Sequence, residues 1–97
     1  MKKIKTVDIL AREWFDKING NSYFSLNVTV NFGLESEANF YEPMTYGYGS
    51  QYETNAKFLL MKHSYIKETM FELYQVCKEN KIILRSRKLE NCKKADL

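Results

Sequence analysis

Between Tyr23 and Phe32 the chain alternates without interruption. Phe24, Leu26, Val28, Val30 and Phe32 are apolar, and Tyr23, Ser25, Asn27, Thr29 and Asn31 stand between them. A period of two with one apolar face predicts a strand buried on one side. Upstream, Val7, Ile9, Ala11 and Phe15 share one face of a less regular run, with Leu10 and Trp14 on the other. Asn19-Gly20 separates the two runs and is a preferred pair for a tight hairpin turn. The first third is therefore read as an antiparallel hairpin, with an amphipathic helix over Val7–Lys17 as the competing reading. Gly33 to Asn39 is a polar, acidic connection, and Phe40 to Tyr46 is a third strand that Pro43 pushes toward an edge or a bulge.

From Ser50 the period becomes helical. Tyr52, Ala56, Leu59, Leu60 and His63 recur at spacings of three and four, which predicts a helix to about Lys62. His63-Ser64-Tyr65 reads as a break, with Ser64 capping a second helix. Ile66, Met70, Leu73 and Cys77 mark the buried stripe of that helix, widened by Phe71, Tyr74 and Val76. Ile82-Ile83-Leu84 opens a last strand ending near Leu89. The order β-β-β-α-α-β predicts an α+β two-layer sandwich, an antiparallel sheet with both helices packed on one face.

A chain of 97 residues forms one domain around one core, with residues 90–97 read as a frayed basic tail. No run of about 18 apolar residues is present, so no membrane span is expected. The basic start Met1-Lys2-Lys3-Ile4-Lys5 is soon interrupted by Asp8, Arg12 and Glu13, unlike a signal peptide. Cys77 falls on an apolar stripe and Cys92 in a polar tail. Neither belongs to a CxxC or a histidine cluster, so two free thiols in the cytoplasm are expected, with no metal and no cofactor. Without a secretion signal, the sequon Asn27-Val28-Thr29 carries no meaning.

The net charge of +3 is unevenly distributed. Residues 21–54 contain no Lys or Arg, only Glu35, Glu37, Glu42 and Glu53, whereas both ends are basic. Such asymmetry favours a stabilised fold or a homodimer over a nucleic-acid surface. A dimer is also expected because Trp14, the tyrosines and an edge strand offer more apolar surface than one small core hides.

Candidate chemistry concentrates in Tyr46-Gly47-Tyr48-Gly49-Ser50-Gln51-Tyr52. Two glycines uncover backbone N–H groups, Ser50 and Glu53 have capping-box spacing, and a Gly-rich turn opening a helix can hold an anion. The three tyrosines add rings for stacking on a base. The plainer reading is a structural turn whose tyrosines close the end of the core. No Walker-type lysine follows the glycines, so nucleotide hydrolysis is not expected. His63, the only histidine, has no nucleophile in sequence to serve and reads as the cap of a helix end. Glu35, Glu37 and Glu42 read as solvated carboxylates and not as a general acid/base pair. The second candidate is the basic final strand, where Lys81, Arg85, Arg87 and Lys88 could contact phosphates. Its plainer reading is an edge strand protected from aggregation.

Two stretches carry a family resemblance. Residues 11–23, with the Trp14-Phe15 pair and the Gly20-Asn21-Ser22-Tyr23 turn, followed by a strand and the Tyr46–Tyr52 element, resemble small uncharacterised proteins of tailed phages and prophages. Arg87-Lys88 and the closing Lys93-Lys94-Ala95-Asp96-Leu97 are loosely similar to their basic ends. Ser50 departs from the Asp expected after the second glycine. Both residues cap helices, so the turn survives while a carboxylate function there is in doubt. The resemblance brings no activity. It implies a non-enzymatic protein that binds a host component, including a defence component, or sequesters a nucleotide-type signal. A nucleic-acid-binding module on the basic final strand is the alternative.

Overall fold

The computed structural model describes residues 3–97; Met1 and Lys2 of the basic start lie outside the described residues. Four strands, β1 (Thr6–Asp16), β2 (Asn21–Val30), β3 (Ala38–Tyr46) and β4 (Ile83–Leu89), form one sheet in the order β3-β2-β1-β4. Helices α1 (Gln51–Lys62) and α2 (Leu73–Glu79) connect β3 to β4, and a short 3₁₀ turn covers Lys94–Asp96. This is the expected α+β element order, and the first third is a hairpin rather than a helix.

The sheet is mixed, which corrects the antiparallel expectation. β1 pairs antiparallel with β2 but parallel with β4, Val7 facing Leu84 and Leu10 facing Arg87. The cause lies in the connection. α1 carries the chain back to the end of the sheet where β1 starts, and Ile83 donates there to the carbonyl of Lys5 at 3.0 Å. A second helix of similar length would have reversed the chain again. α2 has only seven residues and begins at Leu73, not at Ser64.

Ser64 caps no helix start. It sits in the left-handed region at φ 63° and ends α1. Its N–H reaches the Met61 carbonyl, and the Tyr65 N–H reaches that of Leu60. This is a Schellman ending with serine where glycine is usual, and His63 is its C-cap, as expected. Tyr65 and Ile66 then drop into the core as consecutive buried residues outside any helix. Met70 is 99% exposed, and Phe71 and Tyr74 are over half exposed, so the expected stripe survives only at Ile66, Leu73, Val76 and Cys77. The buried Lys57 ammonium holds this connection to α1 through the carbonyls of Thr69 and Phe71, at 3.3 and 3.1 Å.

The core lies between the helices and one face of the sheet. Val7, Ile9 and Ala11 of β1 and Phe24, Leu26, Val28 and Val30 of β2 are buried there with Ala56 and Leu60 of α1. Phe15 and Phe32 extend both alternations in sequence but are about half and two-thirds exposed, because each lies at or past a strand end. Asn31 is buried in place of the next apolar residue. Its side chain accepts from the Lys5 and Thr6 N–H groups and donates to the Lys3 carbonyl and Ser36 Oγ. Pro43 acts as its chemistry requires. β3 is an edge strand, and its ladder with β2 slips between Phe24–Thr45 and Leu26–Glu42, leaving Pro43 and Met44 opposite Ser25.

Among the described residues no helix is long and apolar enough to cross a membrane. Two outcomes follow from the packing. α2 ends like α1, with Lys81 left-handed at φ 56° and the Ile82 N–H on the Cys77 carbonyl. Lys81→Gly removes that strain and should raise stability by about 0.5–1 kcal/mol in urea unfolding, net of the extra freedom glycine gives the unfolded chain. Burial pushes the Cys77 thiol up to about 11, whereas Cys92 is partly exposed. A thiol reagent at neutral pH should therefore titrate one cysteine rapidly in the folded protein and two after denaturation.

Candidate functional site

The Tyr/Gly turn is first a packing device. A Cβ built on Gly47 would stand 2.6 Å from Cε1 of the buried Phe24 ring, and the Gly47 N–H donates to the Ser22 carbonyl at 3.0 Å. Gly49 has open space around it but a φ of +62°, so glycine is there for its backbone. The Ser50–Glu53 capping box does not form. Ser50 makes no side-chain cap, and the N–H groups of Gln51 and Glu53 go to the carbonyls of Tyr48 and Ser50. Lys88 Nζ reaches the Gly49 carbonyl at 3.2 Å.

An open depression of about 490 Å³ exists at residues 46–51 and Thr54. Tyr46 and Tyr48 border it, and Tyr52 does not. Tyr48 is largely exposed, while the Tyr52 hydroxyl lies 3.0 Å from Ser86 Oγ above β4. Tyr46 turns to the opposite side of the sheet and meets Tyr23 edge to face at 5.8 Å.

Among the described residues neither α1 nor α2 packs on that opposite side of the sheet. Strand alternation places Asp8, Leu10, Arg12 and Trp14 of β1 on it. Pairing then aligns their neighbours into ranks across the sheet. Trp14 faces Tyr23, which faces Tyr46; Arg87, Leu10, Asn27 and Tyr41 form another rank; Arg85, Asp8, Thr29 and Asn39 form a third. In the first rank the Trp14 and Tyr23 rings stack with centroids 5.7 Å apart. The chain after β4 turns at Asn91 (φ 59°), pairs the Cys92 N–H with the Glu13 carbonyl, and brings Lys94 Nζ 5.6 Å over the Trp14 ring.

The four basic residues of the final strand separate. Arg85 grips Asp8 through both carboxylate oxygens at 2.5 and 2.9 Å. Lys88 belongs to the helix side, between Glu13 at 2.9 Å and Glu90 at 3.6 Å, and its hydrogen bond to Glu13 raises its pKa. Lys81 forms the turn after α2. Arg87 is exposed on β4, and among the described residues its side chain has no hydrogen bond or ion pair. Arg12 joins it on the uncovered face, where it donates to Asn27 Oδ1 at 3.1 Å. β2 and β3 contribute no charged side chain to this face. Asp16, at the end of β1, is occupied by the loop. Its carboxylate accepts from Asn19 Nδ2 and the N–H groups of Ile18 and Asn19, which lowers its pKa, with Lys94 adding a smaller effect.

Chemistry of other kinds finds little here. His63 is stacked on Phe40 at 4.3 Å, and among the described residues no group of three His, Cys, Asp or Glu side chains is placed to hold a metal. Sequence reading missed the aromatic rank. Trp14 and Tyr23 were visible as outward positions, but their opposition depends on the hairpin loop, and Tyr46 joins them only through the bulge at Pro43.

The two glycines of the turn should respond differently to substitution. Gly47→Ala drives a methyl into a buried ring and should cost about 1–3 kcal/mol. Gly49→Ala meets no atom and should cost only about 1 kcal/mol through its backbone, both read from urea midpoints. No family model, curated protein or solved structure matches this chain.

Proposed function

We propose that this is a non-enzymatic binding protein whose uncovered sheet face takes a nucleic acid. The observation that carries the reading is the composition of that face: the aromatic rank Trp14–Tyr23–Tyr46 beside Arg12 and Arg87, two guanidiniums with no carboxylate partner among the described residues. Unpaired guanidiniums attract phosphate at long range, and ring faces give bases a surface on which to stack. The anionic groups on the face are already engaged, Asp8 by Arg85 and Asp16 by its loop. Nucleotide capture at the Tyr/Gly turn has less support, since its rings diverge and its glycines are accounted for by packing and φ. Action on a host component by binding, implied by the phage resemblance, is compatible with a nucleic-acid grip.

The arginines of β4 give the test. Affinity for a labelled mixed-sequence oligonucleotide should fall with salt. Arg87→Ser should reduce the slope of log K against log salt by roughly 0.7–0.9, one phosphate contact. Arg85→Ser should leave the slope nearly unchanged and change stability little, as expected for an exposed pair. Equal slopes for wild type and Arg87→Ser would remove β4 from the interface.

A further inference from the structure

Resting on that nucleic-acid reading, we infer that the ligand of the uncovered face is single-stranded, with bases stacked on the Trp14–Tyr23–Tyr46 rank. Shape decides against a duplex. Four strands span three inter-strand spacings, about 14 Å before side chains are added. The major groove of B-DNA is about 12 Å wide and admits a helix or a two-stranded ribbon. A duplex lying on this sheet would therefore present phosphates to three aromatic rings, and the rings would have nothing to stack on.

A single strand reverses the match. Its bases have free π-faces, and four-stranded sheets that bind single strands stack two or three bases on aromatic side chains. The rank supplies three rings in register on three adjacent strands, with centroids 5.7 and 5.8 Å apart. Tyr46 is over half exposed at the edge of the sheet, where a strand can enter. Arg12 and Arg87 stand beside the rings, and Lys94 Nζ lies over one of them. Lys94 is held 5.6 Å from the Trp14 ring, within reach of the phosphate next to a base placed there. Arg12 is one same-face step along β1 from Trp14, and Arg87 is the β4 partner of Leu10, the step beyond. Charge also weighs against a second copy as occupant. Two such faces pressed together would set Arg12, Arg87 and Lys94 against their own copies, with no unengaged carboxylate to meet them.

Trp14 is the only tryptophan, so its emission reports on the proposed platform alone. The full chain would be titrated with fluorescein-labelled dT12 and U12 and with a 12-base-pair mixed duplex, following anisotropy, and with the same unlabelled probes, following Trp14 emission. The expected result is binding of single strands with quenching of Trp14 and no effective competition by the duplex. dT12 against U12 then shows whether DNA or RNA fits better. Tyr46→Thr, a β-favouring change at an exposed edge position, should weaken single-strand binding roughly 5- to 150-fold, the worth of one stacked base. Unchanged thermal unfolding would verify its fold, and Trp14→Leu gives a second route to the same loss.

Duplex binding equal to or tighter than single-strand binding, with Trp14 emission unmoved, overturns the single-strand inference and leaves the nucleic-acid reading standing. If single strands bind but Tyr46→Thr and Trp14→Leu, both folded, retain full affinity, the aromatic platform is refuted while nucleic-acid binding remains. No binding of any probe overturns both. A dimer in light scattering whose Trp14 is shielded from acrylamide, and becomes accessible on dissociation, also overturns both and makes the face a contact between copies of the chain.

Discussion

β1 is hydrogen-bonded on both sides, and the rest of the molecule is arranged around that constraint. Its antiparallel partner β2 follows after a four-residue loop, but its parallel partner β4 comes from the far end of the chain, with Asp8 opposite Arg85. β3 and β4 point the same way at opposite edges of the sheet, so their connection must cross the whole sheet. Parallel strands need such a crossover, and it can pass over only one face. α1 and α2 are that crossover. They cover Val7, Ile9, Ala11 and the apolar side of β2, and the same geometry leaves the other face without a lid.

The two faces accordingly meet different chemical demands. The covered side is filled by aliphatic residues with Phe24, Tyr65 and Cys77, and its buried polar groups Asn31 and Lys57 are both hydrogen-bonded. The Lys88–Glu13 pair closes this layer near the start of α1, both side chains more than four-fifths buried. The uncovered side carries rings, arginines and short polar side chains, which tolerate water and retain unused bonding capacity. A surface of this composition is more suited to contact with water than to burial in a permanent core.

Small backbone choices set which residues meet on that surface. A two-residue turn at Asn19-Gly20 would pair Ile18 with Asn21 and place Trp14 opposite Ser25. The loop instead spans residues 17–20, held by the Asp16 carboxylate, and Trp14 lies opposite Tyr23. A shift of two positions preserves the faces and changes every neighbour. The bulge at Pro43 and Met44 then moves β3 by one residue, which brings Tyr46 opposite Tyr23. Without both adjustments the rings would be scattered over the sheet.

Local periodicity was sufficient for the element order, the apolar faces of β1 and β2, α1, the extent of β4 and the edge position of the Pro43 strand. These depend on neighbours two to four residues apart, which a sequence displays directly. The shortness of α2 was not legible, because Tyr65 and Ile66 are drawn into a core made by distant strands and Lys57 ties the following carbonyls to α1. From that shortening came the parallel pairing of β4. The same holds for the separation of Arg85, Arg87 and Lys88 into paired, unpaired and helix-side groups, and for the divergence of Tyr46, Tyr48 and Tyr52. Residue types and their spacing determined which side chains lie on which face of each strand. Only tertiary structure decided which of them became neighbours, because register and strand direction are set by loops, bulges and crossovers that act over the whole chain.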